Sequence, residues 1–136
     1  MALKAEVLLP GAAVSGTCLA LTAPISFWGG VDPASGTIID ARHPERGRNI
    51  AGRILALPGT IGSSSASALL LELVHAGKAP AALLLDAPDA ILLLGLVVAR
   101  EMGWSIPPAL RLPAADQAAL AHRTLTISVA GLITTG

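Results

Sequence analysis

The chain has 136 residues, of which 53% are hydrophobic and 13% charged, and its formal net charge is zero. This length supports one hydrophobic core, so we expect a single domain over residues 1–136. The balanced charge excludes a nucleic-acid partner held by bulk electrostatics. The low charged fraction favours an apolar face covered by a partner, although a composition biased toward Ala, Leu and Gly explains it equally well.

Cys18 is the only cysteine, so an internal disulfide and a cysteine-based metal or cluster site are excluded, and we expect no cofactor bound by this chain alone. Residues 1–6 lack the basic-then-apolar pattern of a signal peptide, which predicts a cytoplasmic protein. Residues 79–99 are apolar, but Asp86 and Asp89 lie among them. These charges favour a buried strand, a turn and a buried helix over a membrane span, so no membrane partner is expected.

The N-terminal third predicts two short strands, at residues 4–9 and 14–21, followed by a long loop over residues 23–49 with one short strand at 37–39. A loop of this length is usually functional or packed against another surface. Its aromatic residues, Phe27 and Trp28, are expected either to close one end of the core or to lie at an interface or site.

The same loop carries the densest group of charged residues in the chain. Its members are Arg42, His43, Glu45, Arg46 and Arg48. A solvated loop is the simpler interpretation, and contact with a substrate or partner is the alternative. Asp40 has a spacing that would orient the His43 imidazole, but no second histidine is nearby, so a metal site is not indicated.

The centre of the chain alternates strands and helices. Strands are predicted at residues 53–57 and 81–85, and the second is continuously apolar, as is typical of a strand buried on both faces. A helix beginning near Ala66 has an apolar stripe formed by Ala66, Leu69, Leu70, Leu73 and Val74. A second helix, capped by Asp89, has a stripe formed by Ile91, Leu94, Gly95, Val98 and Met102.

After residues 106–108, which open a connection, residues 113–122 are predicted as a short helix or loop. Residues 124–133 alternate polar and apolar side chains, which predicts a half-buried strand. The fold class is therefore α/β or mixed α+β, with a central β structure and two packed helices.

A serine-rich turn, Gly-Ser-Ser-Ser-Ala-Ser at residues 62–67, joins the first central strand to its helix. Such a turn gathers backbone N–H groups around one spot and favours an anion. The turn lacks the second glycine of a Gly-x-Ser-x-Gly elbow and the lysine of a phosphate-binding loop. The serines are expected at least to cap the helix, and nothing in the sequence brings His75 or His122 to them.

Several segments in this order resemble the small subunit of the aconitase X family. They are Ser-Phe-Trp-Gly-Gly-Val-Asp-Pro at 26–33, Gly-Thr-Ile-Ile-Asp at 36–40 with Arg-His-Pro at 42–44, Ile-Ala-Gly-Arg at 50–53, the serine-rich turn at 62–67, and Ala-Pro-Ala-Ala at 79–82. The match covers roughly residues 5–110, and the Phe-Trp-Gly-Gly-Val-Asp run makes it specific.

The resemblance implies an aconitase-type swivel domain, a small β-barrel-like α/β core with flanking helices. It also implies a hydro-lyase acting on a small hydroxy acid, in which this chain is the small subunit beside a large subunit that carries an iron or iron–sulfur centre. The family's catalytic serine corresponds to Ser63, which would remove the proton α to the substrate carboxylate. Gly62, Ser64 and Ser65 would then bind the substrate.

One departure from the family pattern bears on the substrate. Relatives commonly have Gly-Arg directly before the Gly-Ser motif, whereas this chain has Thr60 and Ile61. The missing arginine favours cis-3-hydroxy-L-proline over a phosphorylated substrate such as phosphomevalonate. Two other hypotheses remain open here: a non-catalytic module that docks a partner through its Phe27–Trp28 loop, and a self-contained hydrolase that uses Ser63 with a histidine.

Overall fold

A computed structural model of the chain describes residues 2–62 and 64–135; Met1, Ser63 and Gly136 lie outside the described residues. The strands are β1 (Ala2–Lys4), β2 (Glu6–Leu9), β3 (Val14–Ala20), β4 (Ile54–Leu57), β5 (Ala82–Leu85), β6 (Ala109–Arg111), β7 (Thr124–Ile127) and β8 (Leu132–Thr135). The helical segments are α2 (Ala66–His75), α3 (Ala90–Glu101), α4 (Ala114–Gln117) and a 3-10 turn, η1 (Ala118–Leu120); a short segment before them, α1 (Phe27–Gly30), is a turn in which Trp28 and Gly29 are not helical.

The eight strands form one sheet in the order β1-β8-β7-β3-β4-β5-β6-β2. Its centre, β3 to β6, is parallel, and the outer strands β7, β8, β1 and β2 pair antiparallel with their neighbours. Helix α2 connects β4 to β5, and α3 connects β5 to β6. Because β4 and β5 are parallel, the turns that follow them, and the first residues of α2 and α3, lie at the same edge of the sheet.

The sheet curls on itself without closing. Its two edge strands, β1 and β2, are separated along the chain only by Ala5, whose backbone N–H donates to the Gly131 carbonyl at 2.9 Å. The N-terminal segment therefore pairs with β8 through its first half and with β6 through its second. The expected α/β core with flanking helices is confirmed, but the sheet is not a closed barrel, because no ladder joins β1 to β2.

Alternate residues of the central strands enter two separate hydrophobic clusters, which explains their continuous apolar runs. Leu55 and Leu57 of β4 pack in the cluster that includes the buried faces of α2 and α3. Ile54 and Ala56 face the other way, into a cluster with residues of β7 and β8 such as Leu125 and Ile133. Both faces of β4 and β5 are thus buried, which confirms the prediction made for residues 81–85.

The predicted stripe of α2 is confirmed, whereas that of α3 is wrong. Four of the five predicted α2 residues are buried and the fifth, Val74, is partly buried and packs against the cluster. The residues that α3 buries are Leu92, Gly95, Leu96 and Ala99. Of the predicted stripe only Gly95 is buried, because α3 is apolar around most of its circumference and the pattern does not single out one face.

Two further expectations need correction. Residues 37–39 form only isolated bridges, Val31 with Ile38 and Thr37 with Asn49, because they belong to a loop that folds on itself. Residues 124–133 are not one strand: β7 and β8 form a hairpin, since the Gly131 N–H donates to Ser128 and turns the chain. Within the described residues, no helix combines the length and apolar character needed to cross a membrane.

Candidate functional site

The serine-rich turn lies at the edge of the sheet where β4 ends and α2 begins. Gly62 and Ser64 are exposed on either side of Ser63, which lies outside the described residues. The site is therefore built from its neighbours: the strand end before it, the first turn of α2 after it, and the start of α3 beside it.

Two contacts hold the approach to this turn in place. The backbone of Ile61 donates to the Ile25 carbonyl at 3.0 Å, next to a parallel bridge between Ile25 and Thr60. The Thr60 hydroxyl donates to Oδ2 of Asp89 at 2.7 Å. Asp89 also accepts from the Leu92 N–H at 3.0 Å through Oδ1, so the predicted cap of α3 is confirmed. One carboxylate thus links the segment before the serine turn to the start of α3.

The described serines organise the first turn of α2 mainly through backbone groups. Ser65 is the N-cap residue, and its carbonyl accepts from the Leu69 N–H at 3.2 Å. Its side chain makes no capping bond to the described helix backbone, so the expected side-chain cap is not found there. Ser67 donates its hydroxyl back to the Ser64 carbonyl at 3.1 Å. The N–H groups at the start of the helix remain directed toward the turn.

Two glycines near the turn differ in whether the surrounding atoms leave room for a side chain. A Cβ added to Gly62 would meet no atom within 4 Å, and Gly62 is not among the glycines with positive φ. A Cβ added to Gly95 would lie 2.2 Å from the Ser67 carbonyl oxygen. The packing of this chain therefore requires a glycine at position 95, where α3 crosses the first turn of α2, but not at position 62.

A cavity of about 510 Å³ opens beside the turn, between the ends of β4 and β5. Thr60, Asp86, Asp89 and Ile91 line it together with neighbouring apolar residues, and no basic side chain is among its described lining residues. Asp86 is anchored, because its Oδ1 accepts from the Ala114 N–H at 2.8 Å. The cavity is the crevice at the carboxyl edge of parallel strands, where α/β proteins commonly bind ligands.

The two aromatic residues of the long loop have different environments. Phe27 is 1% exposed and belongs to the core, which confirms the structural interpretation for that residue. Trp28 is 61% exposed. It lines an apolar groove of about 260 Å³ with Ile39 of the same loop and with Ala68 and Leu69 of α2. The loop therefore reaches the first half of the helix that follows the serine turn.

The charged part of the loop is a structural and solvated element. The buried His43 uses both ring nitrogens, with Nε2 3.0 Å from the Ala23 carbonyl and Nδ1 accepting from the Glu45 N–H at 3.1 Å. Asp40 accepts from the Arg42 N–H and does not hold the imidazole. The carboxylate of Glu45 accepts from Thr22. The described contacts of the cluster do not bring it to the serine turn.

The other histidines also lie away from the turn. His75 ends α2, roughly 13 Å along the helix axis from Ala66, and packs against Trp104 with ring centroids 4.8 Å apart. His122 donates its backbone N–H to Cys18 and lines a different cavity with Leu19. A hydrolase pairing Ser63 with a histidine has no support in this arrangement.

A metal centre does not fit the part of the chain that the structure describes. It contains no group of three or more His, Cys, Asp or Glu side chains placed to hold a metal ion. Cys18 is buried between strands, and this burial raises the pKa of its thiol from 9.0 to about 11, so the thiol is protonated at neutral pH.

Sequence reasoning missed two residues that support the turn. In the sequence, Thr60 stands out only because it differs from the family pattern at that position, although its hydroxyl donates to Asp89. The buried Gln117 donates from Nε2 to the carbonyls of Leu57 at 3.0 Å and Leu112 at 2.9 Å, and thereby fixes the end of β4. No local pattern marks Gln117, since its partners lie 60 and 5 residues away.

Comparisons with known proteins agree on one family. The aconitase X swivel domain family matches residues 2–133. Cis-3-hydroxy-L-proline dehydratase of Pseudomonas aeruginosa is 52% identical over 103 residues, which are 75% of this chain and 18% of that protein. The phosphomevalonate dehydratase small subunit of Methanothermobacter thermautotrophicus is 39% identical over 84 residues, 62% of this chain and 64% of that one.

The fold agrees with a solved structure over the whole chain. Aconitase X of Thermococcus kodakaraensis, in its holo-form, superposes with a TM-score of 0.86 and 27% identity, covering 100% of this chain and 98% of that one. The chain spans about a fifth of the Pseudomonas relative and about two thirds of the Methanothermobacter one. With a family match over nearly all of its residues, the chain belongs to the aconitase X swivel domain family.

Proposed function

We propose that this chain is the swivel component, or small subunit, of an aconitase X-type hydro-lyase that dehydrates cis-3-hydroxy-L-proline. The observation that carries the proposal is the 52% identity over 103 residues to the Pseudomonas dehydratase of that name, against 39% to the Methanothermobacter phosphomevalonate dehydratase small subunit. The cavity beside the serine turn agrees with this choice, because its described lining has two aspartates and no basic group to receive a phosphate.

We further propose that Ser63 is the catalytic base. Its neighbours Gly62 and Ser64 are exposed at the carboxyl edge of the sheet, and the N-terminus of α2 stabilises negative charge at that position. In the reaction, the Ser63 alkoxide takes the proton from the carbon that bears the carboxylate. The electron pair of that C–H bond forms the new double bond as hydroxide leaves the neighbouring carbon. The hydroxide and the captured proton together make one water, and the enamine tautomerises to Δ1-pyrroline-2-carboxylate.

Substrate binding in the proposal rests on backbone groups. The first N–H groups of α2 are directed toward the turn, and the missing side chain of Gly62 leaves room for a carboxylate to approach them. Ser64 and Ser65, on the other side of Ser63, are the hydroxyl groups nearest in sequence to the same place. Together they form an anion site for the carboxylate of a small hydroxy acid.

The remainder of the enzyme is expected to complete the site. The Pseudomonas relative is about five times as long as its matched segment, and the archaeal relatives are named small subunits. We propose that an iron or iron–sulfur centre belongs to this remainder. Among the described residues, no group of three or more His, Cys, Asp or Glu side chains is placed to hold such a centre by itself.

A phosphomevalonate dehydratase small subunit is the second candidate. The comparison of lengths favours this candidate. The match covers about two thirds of the Methanothermobacter small subunit but only 18% of the Pseudomonas hydroxyproline dehydratase. A third possibility is a non-catalytic docking module, which the exposed Trp28 favours. The three candidates make different predictions for one set of assays.

The experiment is to purify this chain together with the remainder of the enzyme from the same organism and to assay dehydration of both substrates. We expect kcat/KM for cis-3-hydroxy-L-proline to exceed that for phosphomevalonate by about 100-fold or more. A higher kcat/KM for phosphomevalonate assigns the chain to a phosphomevalonate dehydratase instead. Assembly without turnover of either substrate supports the docking module.

The role of Ser63 is tested in the same preparation. Ser63→Ala is expected to lower kcat by ~10²- to 10⁴-fold, the usual contribution of a general base. Ser67→Ala is the matched control, because the Ser67 hydroxyl is occupied by the Ser64 carbonyl, and we expect it to change kcat by less than about threefold. A fully active Ser63→Ala enzyme rules out the base assignment.

A further inference from the structure

A second polar cavity, of about 310 Å³, lies between the end of β3 and the charged part of the long loop. We call it the basic cavity, because three basic side chains line it: Arg46, Arg48 and His122. One acidic residue, Glu45, is also in its lining. None of its described lining residues lines the cavity beside the serine turn, so the two cavities are separate.

The positive charge of the basic cavity is not balanced within the part of the chain that the structure describes. The Glu45 carboxylate is occupied, because Thr22 donates to it from its hydroxyl at 3.0 Å and also from its backbone N–H. Arg46 and Arg48 are exposed, and neither forms an ion pair with a described residue. In a chain whose formal net charge is zero, two guanidinium groups are therefore left at one cavity for an anion.

The backbone at His122 adopts a conformation that favours glycine. Its φ is 66°, and among the described residues it is the only one other than glycine with a positive φ. Two backbone bonds hold this turn: the His122 N–H donates to the Cys18 carbonyl at 3.0 Å, and the Arg123 N–H donates to the Leu120 carbonyl at 3.1 Å. The turn itself does not call for a histidine, and residues kept in such conformations cluster at functional sites.

The loop that carries the two arginines is fixed by its backbone. The Gly47 N–H donates to the Ile38 carbonyl at 2.8 Å, and the Ile38 N–H donates to the Arg48 carbonyl at 2.8 Å. The ring of the buried His43 joins the same loop to the Ala23 carbonyl at 3.0 Å. A ligand in the basic cavity therefore has to order two side chains but not the loop itself, which lowers the entropy cost of binding.

We propose that the basic cavity binds the phosphate group of a small molecule. A phosphate dianion matches two guanidinium groups, each of which can donate two parallel hydrogen bonds to its oxygens, and the His122 imidazole can donate one more. A solvated loop accounts for exposed arginines, but not for a histidine in a glycine conformation beside them. The cavity volume of about 310 Å³ is within the range of small-molecule sites. This inference does not rest on the proposed function.

The direct test titrates the full chain with inorganic phosphate and with glycerol phosphate, at an ionic strength kept constant with chloride, while backbone amide signals are followed by NMR. We expect saturable shifts of the Gly47, Arg48 and His122 signals. A lower Kd for glycerol phosphate identifies a phosphate ester as the ligand, and an equal Kd identifies free phosphate. The absence of saturable shifts with both compounds overturns the proposal, as do equal shifts with chloride alone.

Substitutions of the arginines give an independent readout. Arg46→Gln and Arg48→Gln are each expected to raise the Kd for phosphate about tenfold or more, because each removes a charged hydrogen-bond donor. Arg100→Gln is the matched control, because Arg100 is exposed in the last turn of α3 and does not line the cavity. We expect it to change the Kd by less than about twofold. If the control weakens binding as much as the other two variants do, the proposal is wrong.

His122→Gly separates binding from folding. The melting temperature is expected to rise by roughly 2–5 °C, because glycine adopts the positive φ without strain. The Kd for phosphate is expected to rise about threefold or more, because the imidazole donor is lost. A stabilised variant that binds phosphate as tightly as the wild-type chain contradicts the assignment of His122 to the site. If His122→Gly does not fold, the arginine variants still decide.

Discussion

At the scale of single residues, Gly62 is a glycine that the described packing and backbone conformation do not require. Its φ is not in the positive range that favours glycine, and within the described residues, its chain neighbours aside, a Cβ there would meet no atom within 4 Å. Neither conformation nor packing therefore explains a glycine at this position. We propose that a substrate or partner that approaches the backbone closely explains it.

We accordingly predict that Gly62→Ala leaves stability nearly unchanged and impairs activity. The melting temperature of the chain is expected to change by less than about 2 °C, since surface substitutions usually have small effects. In the assembled enzyme, kcat/KM is expected to fall about tenfold or more, because the added methyl group occupies the approach to the turn. Full activity of Gly62→Ala shows that no ligand needs this space.

Cys18 supplies a prediction for the pH dependence of stability. Its thiol has a pKa of about 11 in the folded chain, above the value of 9.0 for an exposed thiol, because burial disfavours the thiolate. The unfolded chain therefore releases this proton first as the pH rises. The stability that the neutral thiol contributes is fully present below pH 9 and is lost between about pH 9 and 11.

Urea denaturation at pH 8 and at pH 10.5 measures this effect. The wild-type chain is expected to lose about 2 kcal/mol more than Cys18→Ala does between these two pH values. The comparison removes the contribution of lysines, which titrate in both proteins. Equal losses in the two proteins mean that Cys18 titrates alike in the folded and unfolded chain.

At the scale of elements, the crossing of α2 and α3 positions the serine turn. Gly95 is the contact point, since a Cβ there would lie 2.2 Å from the Ser67 backbone oxygen, which cannot rotate away. The bond between Thr60 and Asp89 joins the segment that precedes the serine turn to the cap of α3. The serine turn is thus supported by α3 both before it, at Thr60, and after it, at the first turn of α2.

Gly95→Ala is therefore predicted to destabilise the chain and displace the turn. We expect the free energy of unfolding to fall by about 1–3 kcal/mol, as for other overpacked cores, even though alanine is the better helix former. Leu94→Ala is the control in the same helix, because Leu94 is 53% exposed, and its effect should stay within about 0.5 kcal/mol. Urea unfolding of both variants checks this. A stable Gly95→Ala chain means that α3 shifts easily, and that the crossing does not fix the turn.

At the scale of the whole molecule, sequence patterns correctly predicted an element that is buried on one face, α2, and one that is buried on both faces, β5. The continuous run over β5 and the stripe of α2 each allow one arrangement, and both were confirmed. The predicted face of α3 was wrong because apolar residues surround this helix, so that its buried side, with Leu92 and Leu96, is set by packing against the core cluster. The alternation of strands and helices predicted the α/β class, the family resemblance added the swivel-domain type, and the comparisons confirmed the family.

Long-range contacts account for what the sequence could not predict. Ala5 lies between two strands at opposite edges of the sheet, and this placement depends on strands more than a hundred residues later. Gln117 supports the end of β4 from 60 residues away. The site prediction for Ser63 rests on the resemblance and on its described neighbours, Gly62 and Ser64. The proposal that this chain supplies a base to a larger enzyme therefore needs a direct measurement.

That measurement follows the hydrogen that Ser63 is proposed to remove. Cis-3-hydroxy-L-proline deuterated at the carbon that bears the carboxylate is incubated with the assembled enzyme, and deuterium released to water is measured with product formation. We predict that the wild-type enzyme releases deuterium as it dehydrates the substrate. Ser63→Ala is expected to assemble normally and to slow both processes by ~10²- to 10⁴-fold, with Ser67→Ala close to wild type. Release at the wild-type rate by assembled Ser63→Ala enzyme would contradict the account.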